Sequence, residues 1–137
     1  MTPSQNCVDL IKKFEGLYLE SYLCPASVAT IGFGSTMWTD GKKVKLGEKI
    51  SIEDAEKLLK YELNNISLNL SKLITNLNQN QFDAICSFVY NLGLGALKSS
   101  TLFKKMNDPK SKFLGIKTIP KKLAKNIELI DYNIIRL

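Results

Sequence analysis

The chain is predicted to fold as an α+β domain with a small antiparallel sheet lobe and a helical lobe joined by a long helix. Three observations carry this prediction. A stretch of alternating side chains, Leu17 to Leu23, is followed by a second β-prone run, Val28 to Phe33, with glycines marking their ends. Two long segments with helical apolar periodicity come next, from Ser51 to Leu73 and from Phe82 to Leu92. At 137 residues and 45% apolar content the chain makes one domain, large enough to bury about two-thirds of its unfolded surface.

The elements follow in order. Thr2-Pro3-Ser4-Gln5 has the chemistry of a helix start, with Thr2 as cap, Pro3 at the first helical position and Gln5 closing a capping box. Val8, Leu10, Ile11 and Phe14 supply its apolar stripe, and Gly16 is a stop, so the first helix is expected from about Pro3 to Glu15. In the strand that follows, alternation places Leu17, Leu19, Ser21 and Leu23 on one face and Tyr18, Glu20 and Tyr22 on the other. Pro25 ends it, and Gly32 and Gly34 close the second strand. A turn at Asp40-Gly41 leads to Val44 and Leu46, which makes a sheet of about three strands the natural reading.

Ser51 caps the connecting helix, whose first turn is acidic (Glu53, Asp54). Its buried stripe is expected to be Ala55, Leu58, Leu59, Leu63, Ile66, Leu70 and Leu73. After the polar break at Asn76 to Asn80 comes a helix apolar on most sides, with Phe82, Ala84, Ile85, Cys86, Phe88, Val89 and Leu92 as the core of the second lobe. Cys86 there reads as a small buried hydrophobe. Gly93-Leu94-Gly95 ends it, and Ser99-Ser100-Thr101 opens another helix through Leu102, Phe103 and Met106. A last helix is expected over Lys117 to Leu129, and Tyr132 to Leu137 reads as a β-prone or disordered tail.

Composition narrows the chemistry. No run approaches the roughly 18 apolar residues of a membrane span, and the polar start lacks a secretory signal's basic and apolar blocks, so a cytoplasmic product is expected. Three cysteines, 7, 24 and 86, lack CxxC spacing, and the chain has no histidine, which disfavours a zinc site or a disulfide framework. No metal and no cofactor are expected. Acid–base chemistry must then use Asp, Glu, Cys, Tyr or Lys. The net charge of +6 is uneven. Residues 1–102 hold ten Lys and ten Asp+Glu, whereas residues 103–137 hold eight Lys and Arg136 against Asp108, Glu128 and Asp131. A solvated basic end is the ordinary meaning of such a tail, and attraction to anionic polymers is the alternative.

Glu15 is the one carboxylate with a chemical setting. It falls in the last turn of the first helix, where the helix dipole disfavours negative charge, with Phe14 and Leu17 beside it. Both features raise a carboxyl pKa, as a general acid requires, although a solvated helix-end Glu is the ordinary alternative.

Glu15, eight residues, Cys24, five residues and Thr30, with Gly32-Phe33-Gly34 following, resembles the active-site signature of the bacteriophage-type lysozymes or endolysins (glycoside hydrolase family 24). In that signature the second position is Asp or Cys. Asn78 to Ala84, Ser87 to Gly93 and Ser99 to Leu102 also resemble the family, so the likeness spans residues 5–107. The resemblance implies a lysozyme fold and hydrolysis of the β-1,4 bond between N-acetylmuramic acid and N-acetylglucosamine in peptidoglycan. It implies catalytic roles for Glu15 as the acid, Cys24 as the second group and Thr30 as a holder of water or sugar. It further implies peptidoglycan glycan strands as the partner and a monomer held in the cytoplasm until a holin releases it to the cell wall.

Two departures stand out. Gly32-Phe33-Gly34-Ser35 replaces the family's usual Gly-Tyr-Gly-His. Residues 111–137 contain neither the tryptophan-bearing helix nor the Gly-Leu-x-x-Arg-Arg segment whose arginine buttresses the catalytic Glu, so 108–137 is a divergent basic segment within the single domain 1–137. A frameshift or rearrangement beyond codon 107 is one origin for it. Three functions therefore stand side by side: an active muramidase, an impaired prophage-type remnant that retains peptidoglycan binding, and a nucleic-acid binder working through its basic tail. No nucleic-acid motif supports the last of these.

Overall fold

The computed structural model describes residues 1–74 and 77–106. Its elements are α1 (Gln5–Glu15), β1 (Tyr18–Leu23), β2 (Ala29–Gly32), α2 (Ile52–Leu73), α3 (Gln79–Leu92), α4 (Leu94–Lys98) and α5 (Thr101–Met106). They divide into two compact units, one of Ile11–Asn64 and the other of Met1–Leu10 with the chain from Asn65 onward. The helix expected over Lys117 to Leu129, the tail from Tyr132 and the basic segment lie outside the described residues.

In the first unit, β1 and β2 form an antiparallel pair with Tyr18 opposite Gly32, Tyr22 opposite Thr30 and Leu23 opposite Ala29. Three β1 residues, Leu19, Glu20 and Ser21, thus face Ile31 alone, and β1 bulges. The bulge overturns the expected alternation. Leu19 and Leu23 are 45% and 55% exposed, and the buried residue of β1 is Ser21. Its hydroxyl donates to the Lys45 carbonyl at 2.8 Å and accepts the Glu48 N–H at 3.1 Å, so a polar side chain is buried without an unmet bond.

The expected third strand also differs. Among the described residues the sheet has two strands. The segment that lies along the bulge is Glu48 to Ile50 rather than Val44 to Leu46. Ser21 N–H donates to the Glu48 carbonyl and Ile50 N–H to the Leu19 carbonyl, both at 2.9 Å, around an isolated bridge between Glu20 and Lys49. Val44 instead turns inward, 5% exposed. The Asp40-Gly41 turn forms as expected, closed by the Gly41 N–H on the Trp38 carbonyl and the Trp38 N–H on the Lys42 carbonyl. The core of this unit is Ile11, Ile31, Phe33, Val44, Ala55, Leu58, Leu59 and Leu63.

Helix α2 starts where expected, with the Ser51 hydroxyl accepting the Asp54 N–H at 3.1 Å. The unit boundary falls within this helix, after Asn64. Ala55, Leu58, Leu59, Leu63 and Leu70 are buried as the period requires, Ile66 and Leu73 are half-buried, and Ser67 joins the buried face by donating to the Met1 carbonyl at 2.8 Å.

In the second unit the start of α1 is not the one its local sequence favours. Ser4, rather than Thr2, caps the helix, its Oγ accepting the Cys7 N–H at 3.4 Å. The reason lies 79 residues away: buried Asp83 of α3 accepts the Ser4 N–H at 2.9 Å and the Ser4 hydroxyl. Gln79 completes the knot, its amide donating to Asp83 Oδ1 and to the Thr2 carbonyl, each at 2.8 Å. Helix α3 has the capping box of Asn78 and Gln81 and buries Phe82, Ala84, Ile85, Cys86, Phe88 and Val89. Leu92, expected in the core, is 46% exposed because the helix ends there, with Gly93 at φ 91° donating back to Val89. Leu94 does not remain in the stop but starts the short helix α4, and the Ser100 hydroxyl caps α5 by accepting the Phe103 N–H at 3.1 Å.

Candidate active site

The three residues singled out by spacing, Glu15, Cys24 and Thr30, all belong to the first unit. Glu15 is the last residue of α1. The chain then leaves the helix through Gly16, whose left-handed φ of 69° and N–H bond to the Lys12 carbonyl at 3.0 Å make a C-terminal cap. The carboxyl packs against the backbone of Gly34, so closely that a methyl group on Gly34 would lie 2.6 Å from Glu15 Oε2 and 3.0 Å from Cδ. Burial pushes the Glu15 carboxyl above its ordinary pKa. Phe14 and Leu17, the expected apolar neighbours, are themselves 48% and 37% exposed, whereas Gly34 lies directly against the carboxyl.

That loop, Gly32 to Ser35, is built to hold still. Ile31 and Ser35 exchange both backbone hydrogen bonds, at 2.8 and 2.9 Å, which pinches the turn closed at its base. Gly32 packs on Ala55 of α2, where an added methyl would come within 3.5 Å of the alanine Cβ. Phe33 is buried, with Lys12 Nζ 5.5 Å from its ring centroid, and the same ammonium pairs with Glu56 of α2 at 2.9 Å. Ser35, standing where relatives usually have histidine, is 2% exposed and takes part through its backbone.

Cys24 opens the loop between the strands. Its own N–H donates to the Val28 carbonyl at 3.0 Å, and Ser27, at φ 60°, donates back to the Cys24 carbonyl at 2.8 Å. This curls the backbone so that N–H groups of Val28 and Ala26 point at the sulfur, and the Thr30 hydroxyl also reaches it. These contacts hold the thiol below its ordinary pKa, the Val28 and Ala26 amides having the largest effects. Thr30 is buried opposite Tyr22, and its hydroxyl donates to the Val28 carbonyl at 3.0 Å. The Thr30 proton thus has two acceptors in reach, the Val28 carbonyl and a Cys24 thiolate. The other two thiols behave differently. Cys86 is fully buried in α3, and burial pushes Cys7 up to about 12.

Tyr22 joins this group, although the spacing had not singled it out. Its ring lies 4.2 Å from that of Tyr18 at 38°, and its phenol is raised first by burial and then by Tyr18, Glu15 and Cys24. It therefore lies within electrostatic reach of both the acid and the thiol. The signal was present: Tyr22 and Cys24 are two residues apart at a strand end, the spacing of one sheet face. Gly34 was readable only as a turn residue. Glu20, the other nearby acid, is exposed. A cavity of about 530 Å³ lies elsewhere in the same unit, lined by Trp38, Thr39, Lys49, Ile50, Asp54 and Lys57 among others. None of Glu15, Cys24 and Thr30 lines it.

Chemically the site holds a carboxyl that resists ionisation and a thiol that favours it. Pairs of titratable groups pushed apart in this way mark acid and base roles. The profile of the phage lysozyme family matches residues 12–121, past residue 107, the expected end of the likeness in sequence. The chain is 40% identical over 105 residues to an endolysin of Acyrthosiphon pisum secondary endosymbiont phage 1, covering 76% of this chain and 68% of the relative. It is 37% identical over 108 residues to the endolysin of Salmonella phage P22, covering 78% and 74%. The structure of an endolysin from Escherichia coli O157:H7 phage FAHEc1 superposes with a TM-score of 0.77 at 31% identity, over 97% of this chain and 95% of that one. Fold, motif spacing and these likenesses together place the chain in the phage lysozyme family.

Proposed function

We propose that Glu15, Cys24 and Thr30 are the catalytic group of this lysozyme. Membership of the family makes the chain a glycoside hydrolase of the endolysin type, acting on bacterial peptidoglycan in host lysis. Glu15 donates its proton to the bridging oxygen between N-acetylmuramic acid and N-acetylglucosamine as that bond breaks. Cys24, as thiolate, takes a proton from the water that adds to the anomeric carbon, and Thr30 orients that water. The bond from anomeric carbon to bridging oxygen is lost and the bond to water oxygen is gained, so a reducing end and a free hydroxyl are released.

The observation that carries the reading is the opposed perturbation of Glu15 and Cys24. Burial raises the Glu15 carboxyl above its ordinary pKa, and backbone N–H groups from Val28 and Ala26 lower the Cys24 thiol below its own. Without histidine in the chain, these two groups divide the proton work that an imidazole often performs. Among the described residues no helix is long and apolar enough to cross a membrane. Retention in the cytoplasm until a holin opens the membrane, and action as a monomer, complete the proposal.

Release of reducing sugar from purified peptidoglycan, compared between the parent and Glu15→Gln, tests it. Loss of a general acid costs about 10²–10⁴-fold in rate. Activity surviving in Glu15→Gln would remove Glu15 from its role.

A further inference from the structure

We propose that Gly34 is a positioning residue for the reaction: its bare α-carbon forms the wall against which the Glu15 carboxyl is held, and a side chain there displaces that carboxyl. The inference rests on Glu15 being the acid. It comes from the close approach of the two residues, which motif spacing does not reveal.

A methyl group on Gly34 would meet three atoms of the Glu15 side chain, Oε2 at 2.6 Å, Cδ at 3.0 Å and Cγ at 3.5 Å. To reach an ordinary 3.4 Å contact, the carboxyl or the loop must retreat by about 0.8 Å. The loop is the stiffer party. It is pinched by the reciprocal Ile31 and Ser35 bonds, seated on Ala55 by Gly32 and anchored by buried Phe33 beneath Lys12. Glu15, by contrast, hangs from the last turn of α1, and its side chain has three rotatable bonds. The carboxyl therefore gives way, and it gives way toward solvent. A catalytic group displaced by about 1 Å loses about 10²-fold in rate. It also regains hydration, which lets it ionise more readily. Of the titratable and charged groups near it, Tyr22 of β1 lies within electrostatic reach of Glu15 and has Tyr18 and Cys24 as its own neighbours, while Lys12 and Lys13 share the last turn of α1 with Glu15 and Lys12 pairs with Glu56 of α2. Gly34→Ala alters none of them.

Glycine at this position has a second reason, its left-handed φ of 86°, and the test must separate the two. Gly41 supplies the control: its φ is 83°, and a methyl built there meets nothing within 4 Å. Gly34→Ala and Gly41→Ala therefore both place alanine at a left-handed φ, and only the first touches Glu15.

The experiment measures kcat and KM on soluble glycan strands across pH for the parent, Gly34→Ala and Gly41→Ala, with thermal denaturation of each. Gly34→Ala is expected to lose about 10²-fold in kcat with KM within about twofold, and the alkaline limb of its pH profile is expected to move to lower pH. Gly41→Ala should keep the parent's kcat and limb while sharing the fall in Tm. Equal kinetics in Gly34→Ala and Gly41→Ala, or an unmoved alkaline limb in Gly34→Ala, overturns the inference. If Gly34→Ala does not fold, the double variant Glu15→Ala/Gly34→Ala decides. Removing the carboxyl removes the obstacle, so the double variant is expected to fold, and a failure to fold would place the obstacle elsewhere. Failure of the underlying reading is separately visible, since it requires Glu15→Gln to remain active.

Discussion

Replacing Asp83 by alanine tests how the start of α1 is fixed. The carboxylate is 4% exposed by residue and accepts three hydrogen bonds: from the Ser4 N–H at 2.9 Å, from the Ser4 hydroxyl, and from the Gln79 amide at 2.8 Å. Hydrogen bonds to a charged acceptor contribute about 1.5–3 kcal/mol each in mutational series. Their sum overstates the net effect, because burying the carboxylate is itself costly and because half-buried Ser4 and exposed Gln79 can turn to water. A net loss of about 3 kcal/mol follows, and in a domain of this size it lowers Tm by roughly 10 °C. Ser4→Ala, which removes one hydroxyl and the cap on the Cys7 N–H, should cost about 1 kcal/mol. Thermal and urea denaturation followed by circular dichroism measure both variants. The reasoning is refuted if Asp83→Ala stays within about 0.5 kcal/mol of the parent, a surface-substitution effect, or if Ser4→Ala costs more than Asp83→Ala.

Two further outcomes follow from the perturbed groups. Iodoacetamide at neutral pH should label Cys24 alone in the folded protein, and loss of activity should track that single adduct. Cys24 is partly exposed and held toward thiolate, whereas Cys7 and Cys86 are buried and pushed upward. Mass spectrometry that finds Cys7 or Cys86 modified first would refute this. Glu15→Gln should stabilise the protein at neutral pH while abolishing turnover. A carboxyl whose folded pKa is raised contributes stability that is full below its unfolded pKa and is lost as pH rises through the folded value. The Gln variant carries no such loss, so its advantage in Tm should be absent near pH 4 and grow toward pH 7. A gap that does not widen with pH would show that Glu15 is not desolvated in the folded state.

Much of the helical framework was readable because its causes are local. Ser51 caps α2 through a bond three residues long, and the period of Ala55, Leu58, Leu59 and Leu63 identifies the buried face of that helix without knowledge of its partner. The sheet was readable as strands but not as surfaces. One bulge in β1 breaks the two-residue period, so the leucines of the strand face solvent and Ser21 is buried. The cap of α1 was misplaced for a different reason. Thr2-Pro3-Ser4-Gln5 satisfies the local rules twice over, and the choice of Ser4 was made by Asp83, which no window of neighbouring residues contains.

The sequence by itself determined the family and picked out the three positions proposed as the catalytic group. The spacing of Glu15, Cys24 and Thr30 depends only on where one helix ends and two short strands begin, and those boundaries are set by neighbouring residues. The electrical state of these groups was decided only in three dimensions. The Glu15 carboxyl resists ionisation because it is partly buried in the fold, where Gly34, nineteen positions further on, lies against it, whereas Phe14 and Leu17 beside it in sequence stay largely exposed. The Cys24 thiol is drawn the other way by amides that the turn through Ser27 aims at it. A pKa depends on what surrounds a group in space, and a chain's order does not contain that information until the chain has folded.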